Sequence, residues 1–237
     1  MAVYLGSNRV GTTIEKEYLG IPLELSATGV LKKPTTPFAW KSQGSDVADY
    51  SMQTAFRGCT GLTSVDLSSL TTVSGSSAMY DAFRTCTGLT SVDLSSLTTV
   101  SGSSAMYEAF YTCTRLTSVD LSSLTTVSGS DAMYDAFRGC TGLTSVDLSS
   151  LTTVSGSSAM YYAFRGCTKL KTLSFPALTS NSFGSYTNQF NSMLSGVTGC
   201  TVHFPSNLQS VIGNWSSVTS GFGGTNTTVL FDLSATT

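Results

Sequence analysis

Charge is scarce in this chain. Only 11% of its 237 residues are Asp, Glu, Lys or Arg, and the formal net charge is −2. No basic stripe or acidic block exists to grip nucleic acid or an anionic bilayer, so neither is expected as a partner. Long apolar runs are missing too. None approaches the roughly 18 residues that cross a membrane as a helix, so no membrane insertion is expected. The opening Met1-Ala2 lacks a basic n-region and an apolar h-region, so no signal peptide or anchor is expected in this chain. Solubility must come largely from Ser and Thr hydroxyls.

Histidine is nearly absent. His203 is the single one, and a Ser–His–Asp arrangement would have to use it without any Gly-x-Ser-x-Gly elbow. The carboxylates recur as copies of one position, not as two environments able to hold different pKa values. Gly221-Phe222-Gly223-Gly224 is not a phosphate loop, because no Lys-Ser/Thr follows it. No C-x-x-C spacing occurs among the six cysteines. These absences point to no enzyme, no catalytic residue, no metal and no cofactor. Five cysteines (Cys59, Cys86, Cys113, Cys140, Cys167) hold one repeat position, and Cys200 follows in an irregular end. Side chains pointing inward in parallel seldom meet disulfide geometry, so buried packing is the expectation for them.

What the chain does have is one 27-residue unit written four times, opening at Cys59, Cys86, Cys113 and Cys140 and running to Gly166. A fixed period of this length marks a solenoid, whose units bury their apolar faces only against their neighbours. Within the first copy, Leu62, Val65 and Leu67 alternate with Ser64, Asp66 and Ser68, the period of a strand with one buried side. Leu70 and Val73 extend the apolar line through a less regular segment. Gly75 breaks it, and Ser76 or Ser77 is placed to cap a helix. Ala78, Met79, Ala82, Phe83 and Cys86 then share one helical side, which predicts a short helix. Asp81–Arg84 and Asp135–Arg138 fall at i, i+3 on it, while the other copies have Glu108/Tyr111 and Tyr162/Arg165.

The run AFRGCTGLTSVDLSSL resembles the BspA-like leucine-rich repeat, with its A-F-x-x-C-x-x-L followed by x-x-V/I-x-L. The unit is longer than the common form and has Ser68 where Pro is usual, a Pro that Phe175-Pro176 and Phe204-Pro205 restore. The resemblance implies an exposed protein-interaction surface of the kind found on secreted or cell-surface bacterial proteins. It implies adhesion or recognition of a protein or glycan on another surface. The fold expected is an α/β solenoid, right-handed, with strand–extended–short-helix coils and capped ends. Its divisions are a β-rich cap (1–31), the solenoid (32–195), and a degenerate repeat with a cap (196–237).

The ends differ from the middle. Val3-Tyr4-Leu5 and Val10 to Ile14 flank Gly6, Ser7 and Asn8, which predicts a hairpin. The opening VYLGSNRV also resembles the start of some phage structural proteins. Lys32 to Gly58 is a degenerate unit in which Phe38 and Trp40 take the places of Val65 and Leu67. Val202, Phe204 and Leu208 imitate the strand once more, and Val229-Leu230-Phe231 predicts a terminal one.

Two columns are candidate partner-binding residues. The first is Asp66, Asp93, Asp120 and Asp147, with Ser64, Ser91, Ser118 and Ser145 beside it. At a strand spacing of about 4.8 Å, neighbouring carboxylates repel by roughly 0.8 kcal/mol in water. They form either an anionic strip that attracts cations or a basic partner segment, or a salt-screened ladder on a solvated sheet. The second column is Tyr80, Tyr107, Tyr134 and Tyr161, which supplies either contact area for a partner or cover between adjacent helices. The threonine columns at Thr71 and Thr72 are similar to those of ice-binding solenoids but lack a regular T-x-T array. The copies match even at exposed positions, as recent duplication would leave them. A residue seen four times was therefore chosen once. The alternative to a binding module is a structural spacer or a component of a phage or cell-surface assembly.

Overall fold

The structure, a computed structural model, describes residues 52–185 and 187–234, five short strand backbones before them, and Asp46. Those early strands are β1 (Val3–Leu5), β2 (Asn8–Val10), β3 (Glu24–Leu25), β4 (Leu31–Lys32) and β5 (Phe38–Lys41). The repeats then contribute β6 (Leu62–Asp66), β7 (Thr72–Val73), β8 (Ser91–Asp93), β9 (Thr99–Val100), β10 (Ser118–Asp120), β11 (Thr126–Val127), β12 (Ser145–Asp147) and β13 (Thr153–Val154). The C-terminal part holds β14 (Thr172–Ser174), β15 (Thr201–Pro205), α1 (Gln209–Ile212), α2 (Ser216–Thr219) and β16 (Thr228–Leu233).

The longer strand of each coil pairs in parallel with the same strand of the next. β5, β6, β8, β10 and β12 form one sheet, and β7, β9, β11 and β13 form a second beside it. Identical residues meet: Ser64 with Ser91, Val65 with Val92, Val119 with Val146. β14, β15 and β16 form a third parallel sheet. The result is a parallel β-solenoid of 27-residue coils.

The interior follows from this register. Leu62, Val65, Leu67, Leu70, Val73, Met79 and Phe83, with their copies, are buried, and the Phe rings stack from coil to coil at 5.0–5.7 Å. Burying one such side chain contributes about 1.5–3 kcal/mol, realised only when the neighbouring coils are in place. The cysteines complete this interior. All six are free and buried, and each of Cys86, Cys113, Cys140 and Cys167 donates its thiol to a Phe carbonyl of the preceding coil at 3.0–3.2 Å.

The expected helix over Ala78–Cys86 is not formed. Successive tight turns run there instead, with Ala82 N–H donating to Met79 C=O and Cys86 N–H to Phe83 C=O. The intervening amides reach the next coil: Met79 to Ala105 at 2.7 Å, Asp81 to Tyr107 at 2.9 Å, Phe83 to Ala109 at 2.8 Å. Ser77, Asp81 and Thr85 carry positive φ (50–58°), one residue per turn. The physical reason is the pitch. A helix about 10 Å across fits on every coil only if the stack bends until that side opens to the helix width, whereas the strands lie roughly 4.8 Å apart. A ribbon of turns stacks at the strand spacing itself, because half its N–H groups remain available for the coil below. Gly102 shows how close that approach is: a Cβ there would lie 2.0 Å from the carbonyl oxygen of Gly75. Among the described residues, α-helix occurs only as α1 and α2, both outside the four near-identical units.

The N-terminal hairpin forms, β1 antiparallel to β2, with the second strand beginning at Asn8 instead of Val10. In the degenerate unit, Trp40 pairs with Val65 and Phe38 with Leu62, so both lie two or more residues from their expected places. A bulge between Phe38 and Ala39 and a shorter link to the Met52 turns account for the shift. Val202 and Phe204 lie on β15 as expected and are buried, Leu208 is buried beyond it in a 3-10 turn (Ser206–Leu208), and Val229-Leu230-Phe231 lies within β16.

Candidate functional site

The strand face carries two polar rows. Val65, Val92, Val119 and Val146 point inward, so Ser64, Ser91, Ser118 and Ser145 point out on one side of them. Asp66, Asp93, Asp120 and Asp147 point out on the other, exposed from the second copy onward. The carboxylates are not idle. Each accepts the N–H of the serine two residues on: Ser68 to Asp66 at 3.0 Å, Ser95 to Asp93 at 3.0 Å, Ser122 to Asp120 at 2.9 Å, Ser149 to Asp147 at 2.9 Å. Ser68 and Ser95 add their hydroxyls at 2.6 Å. This Asx turn bends the chain out of the strand. The bonds from Ser122 hold the Asp120 carboxyl below its ordinary range. A shallow depression of about 460 Å³ lies over this face, lined by Ser64, Asp66, Ser91, Asp93, Ser95 and Asp120 with Val65 and Val92.

The tyrosines stand on the turn side. Tyr80, Tyr107, Tyr134 and Tyr161 stack face to face at 4.8–5.1 Å with interplanar angles of 3–7°. Their ring faces cover each other, and edges and hydroxyls are what a partner could reach. Desolvation and then the neighbouring Tyr107 phenol push the Tyr134 hydroxyl up to about 12, so it stays a protonated donor at any ordinary pH. The structure therefore places the Asp–Ser rows and the Tyr column on different sides of the coil and does not bring them into one site.

Sequence reading missed a belt beside the tyrosines. The Asp81–Arg84 and Asp135–Arg138 pairs, expected on a solvated helix, are built from buried carboxylates: Asp81 and Asp135 are each 3% exposed. Asp81 meets Arg57 at 3.1 Å and Arg84 at 3.4 Å, and Arg84 also reaches Glu108 of the next coil. Asp135 meets Arg138 at 3.2 Å. Desolvation outweighs these cations and raises both Asp carboxyls. Arg84 and Arg138 lie 4.4 and 5.2 Å from the ring centre of Tyr111, and Arg165 lies 4.7 Å from that of Tyr162. The copies that looked like broken ion pairs are cation–π partners. The signal was there in the alternation Arg, Tyr, Arg at one repeat position.

His203 sits on β15 with Nδ1 2.9 Å from both carboxylate oxygens of Asp232 on β16, and Ser174 on β14 is its register partner. Ser, His and Asp thus occupy adjacent strands. The amide following Ser174, which a nucleophilic serine would use to hold an oxyanion, donates instead to the His203 carbonyl at 3.0 Å. Among the described residues no cluster of three or more His, Cys, Asp or Glu is arranged to hold a metal ion. No described helix is long and apolar enough to cross a membrane.

None of the curated proteins compared with the chain matches it. A repeat family does, over residues 49–135 and 133–215 in six copies, and so the chain belongs to the BspA type leucine rich repeat region family.

Proposed function

We propose that this protein is a non-catalytic binding or adhesion module, coiled in the right-handed sense that parallel crossovers take. Its strand face meets a protein or glycan partner on another surface, and the chain works outside or at the surface of the cell. The observation that supports this reading is the pair of exposed, in-register Ser and Asp rows flanking a shallow depression. Repeat scaffolds commonly use such an extended face for recognition. The Tyr80–Tyr161 edge offers a second, separate contact line on the turn side.

Asp93→Asn with Asp120→Asn tests it. The amide oxygen still accepts the serine N–H, so the turn survives while the charge is lost. Against an array of surface proteins and glycans, binding should fall at least about tenfold, a change of about 1.4 kcal/mol, while circular dichroism shows the fold retained.

The polar groups that could bind are also used within the fold, in Asx turns and ring stacks. That observation favours a second reading, a structural spacer or a component of a phage or cell-surface assembly. A spacer would show no partner on such an array, and the double variant would change nothing.

A further inference from the structure

The cations gather on one edge of the stack. Among the described residues they are Arg57, Arg84, Arg115, Arg138, Arg165, Lys169 and Lys171, and each lies within four residues of a cysteine of the inward column. All of them therefore sit at the corner where the turn ribbon hands over to the long strand. The sequence has no basic run, because the coil and not the chain brings them together. Asp81 meets Arg57 and Arg84, Glu108 meets Arg84, and Asp135 meets Arg138. Arg115, Arg165, Lys169 and Lys171 form no ion pair among the described residues. Where the earlier coils carry Asp81, Glu108 and Asp135, the coil of Arg165 carries Tyr162, whose ring centre lies 4.7 Å from the guanidinium. No Asp or Glu occurs from 148 to 231. Lys169 and Lys171 flank buried Leu170, so both point to solvent, and Lys171 Nζ donates to the Thr198 carbonyl at 3.0 Å. Arg115 is exposed and holds the repeat position of Lys169 two coils earlier. Between them stands Gly142, where a Cβ would lie 2.7 Å from the Thr114 carbonyl oxygen, so no side chain fills the gap. At a strand spacing of about 4.8 Å that gap is about 10 Å, the length of one disaccharide.

We infer that this edge binds an acidic polysaccharide, one bearing sulfate or carboxylate groups along its length. Arg115, Arg165, Lys169 and Lys171 meet its charges. Exposed Thr114, Thr141 and Thr168 run beside them, and their hydroxyls donate or accept as sugar hydroxyls require. Nucleic acid fits less well, because its bases bind on open ring faces. Here the Tyr80, Tyr107, Tyr134 and Tyr161 rings cover one another, and Arg165 covers Tyr162. An acidic peptide would find no apolar anchor. The two exposed large hydrophobic residues among the described ones, Val211 and Leu230, belong to α1 and β16 and not to this edge. The Asp66 row stands at the far end of the strands, so neither surface depends on the other.

Isothermal titration calorimetry of the full chain with dextran sulfate, polygalacturonate and neutral dextran tests this. At least one acidic polymer should bind and neutral dextran should not; which of the two binds identifies the anionic group that is read. Log affinity should fall against log salt with a slope of about −3, from four cations at about 0.7 each. Lys169→Gln with Lys171→Gln should weaken binding about tenfold and halve that slope, while Lys169→Arg with Lys171→Arg retains both. These positions are exposed, and circular dichroism checks that each variant folds. Asp93→Asn with Asp120→Asn should leave polysaccharide binding undiminished. Silence from both acidic polymers, equal binding of neutral dextran, or unchanged affinity in the Gln variant would each overturn the proposal. So would weaker binding in the Asn variant, or tighter binding of oligothymidylate or polyglutamate than of either polysaccharide.

Discussion

The guanidinium of Arg84 lies 4.4 Å from the ring centre of Tyr111, the residue that replaces arginine at that position of the next coil. Arg138, one coil further on, lies 5.2 Å from the same ring. Arg57, Arg84, Arg138 and Arg165 hold the same repeat position, so an arginine at 111 would have placed five cations in succession at the coil spacing. The tyrosine separates the two and attracts both.

Tyr111→Arg should accordingly destabilise the fold by about 1–2 kcal/mol, through lost cation–π attraction and added repulsion. Part of that loss should return in 1 M salt, which screens the charges. Tyr111→Leu keeps apolar cover but not the ring quadrupole, and should cost less, with no salt dependence. Urea unfolding of the three proteins at two salt concentrations measures this, and equal midpoints would show that the ring is only filler.

The carboxylates should divide by pH. Hydrogen bonds from Ser122 lower the Asp120 pKa on folding, so its contribution is present above the ordinary aspartate range and is lost as pH falls through the lowered value. Asp81 and Asp135 are raised, chiefly by desolvation. Their preference for the folded state is complete below the unfolded pKa and is lost as pH rises through the folded one. Asp120→Ala should therefore cost about 0.5–1.5 kcal/mol at pH 7 and progressively less as pH falls through the lowered value. Asp135→Asn should be better tolerated at pH 7 than at pH 3, relative to wild type. Denaturation across that range checks both signs.

The strands and the core were legible because alternation of Ser, Val, Asp and Leu has one meaning on a pleated surface. Leu62, Val65, Leu67, Leu70 and Val73 all lie where that pattern puts them. The turn ribbon was not legible. Ala78, Met79, Ala82, Phe83 and Cys86 fit a period of four as well as one of 3.6, and nine residues are too few to separate the two. Nor could the Asp66 row be resolved from the sequence. Only the folded turn shows that the N–H and the hydroxyl of Ser68 close on one carboxylate oxygen. Asp81 looked solvated because helical geometry was assumed for it, and the ribbon turns that residue inward.

The thiols give a direct test of coil closure. Burial pushes the Cys140 thiol up to about 12 and that of Cys200 up to about 11, and raises Cys113 and Cys167 well above the ordinary value. Reagents that need thiolate should find none in the native protein at pH 8. After denaturation without reductant, six equivalents should react, since all six are free. Fewer than six would reveal a disulfide. Rapid native labelling would show that the coils open locally, and Cys200 should then be the first to react.

Removing a whole unit tests the stack itself. Deleting residues 113–139 joins Thr112 to Cys140 in the same phase of the repeat. Strand Ser91–Asp93 then meets Ser145–Asp147, Phe110 stacks on Phe164, and Tyr107 on Tyr161. Tyr111 loses Arg138 but gains Arg165 at the same position, so the belt persists too. In a one-dimensional array, stability is a sum over units and nearest-neighbour interfaces, and only one of each is lost. The shortened protein should fold with unchanged ellipticity per residue, a lower unfolding free energy, and a denaturant slope reduced in proportion to the surface removed. Two 27-residue deletions should continue that line. A collapse to an unfolded or aggregated chain on the first deletion would mean that the coils are not interchangeable, and that their register is set from the ends.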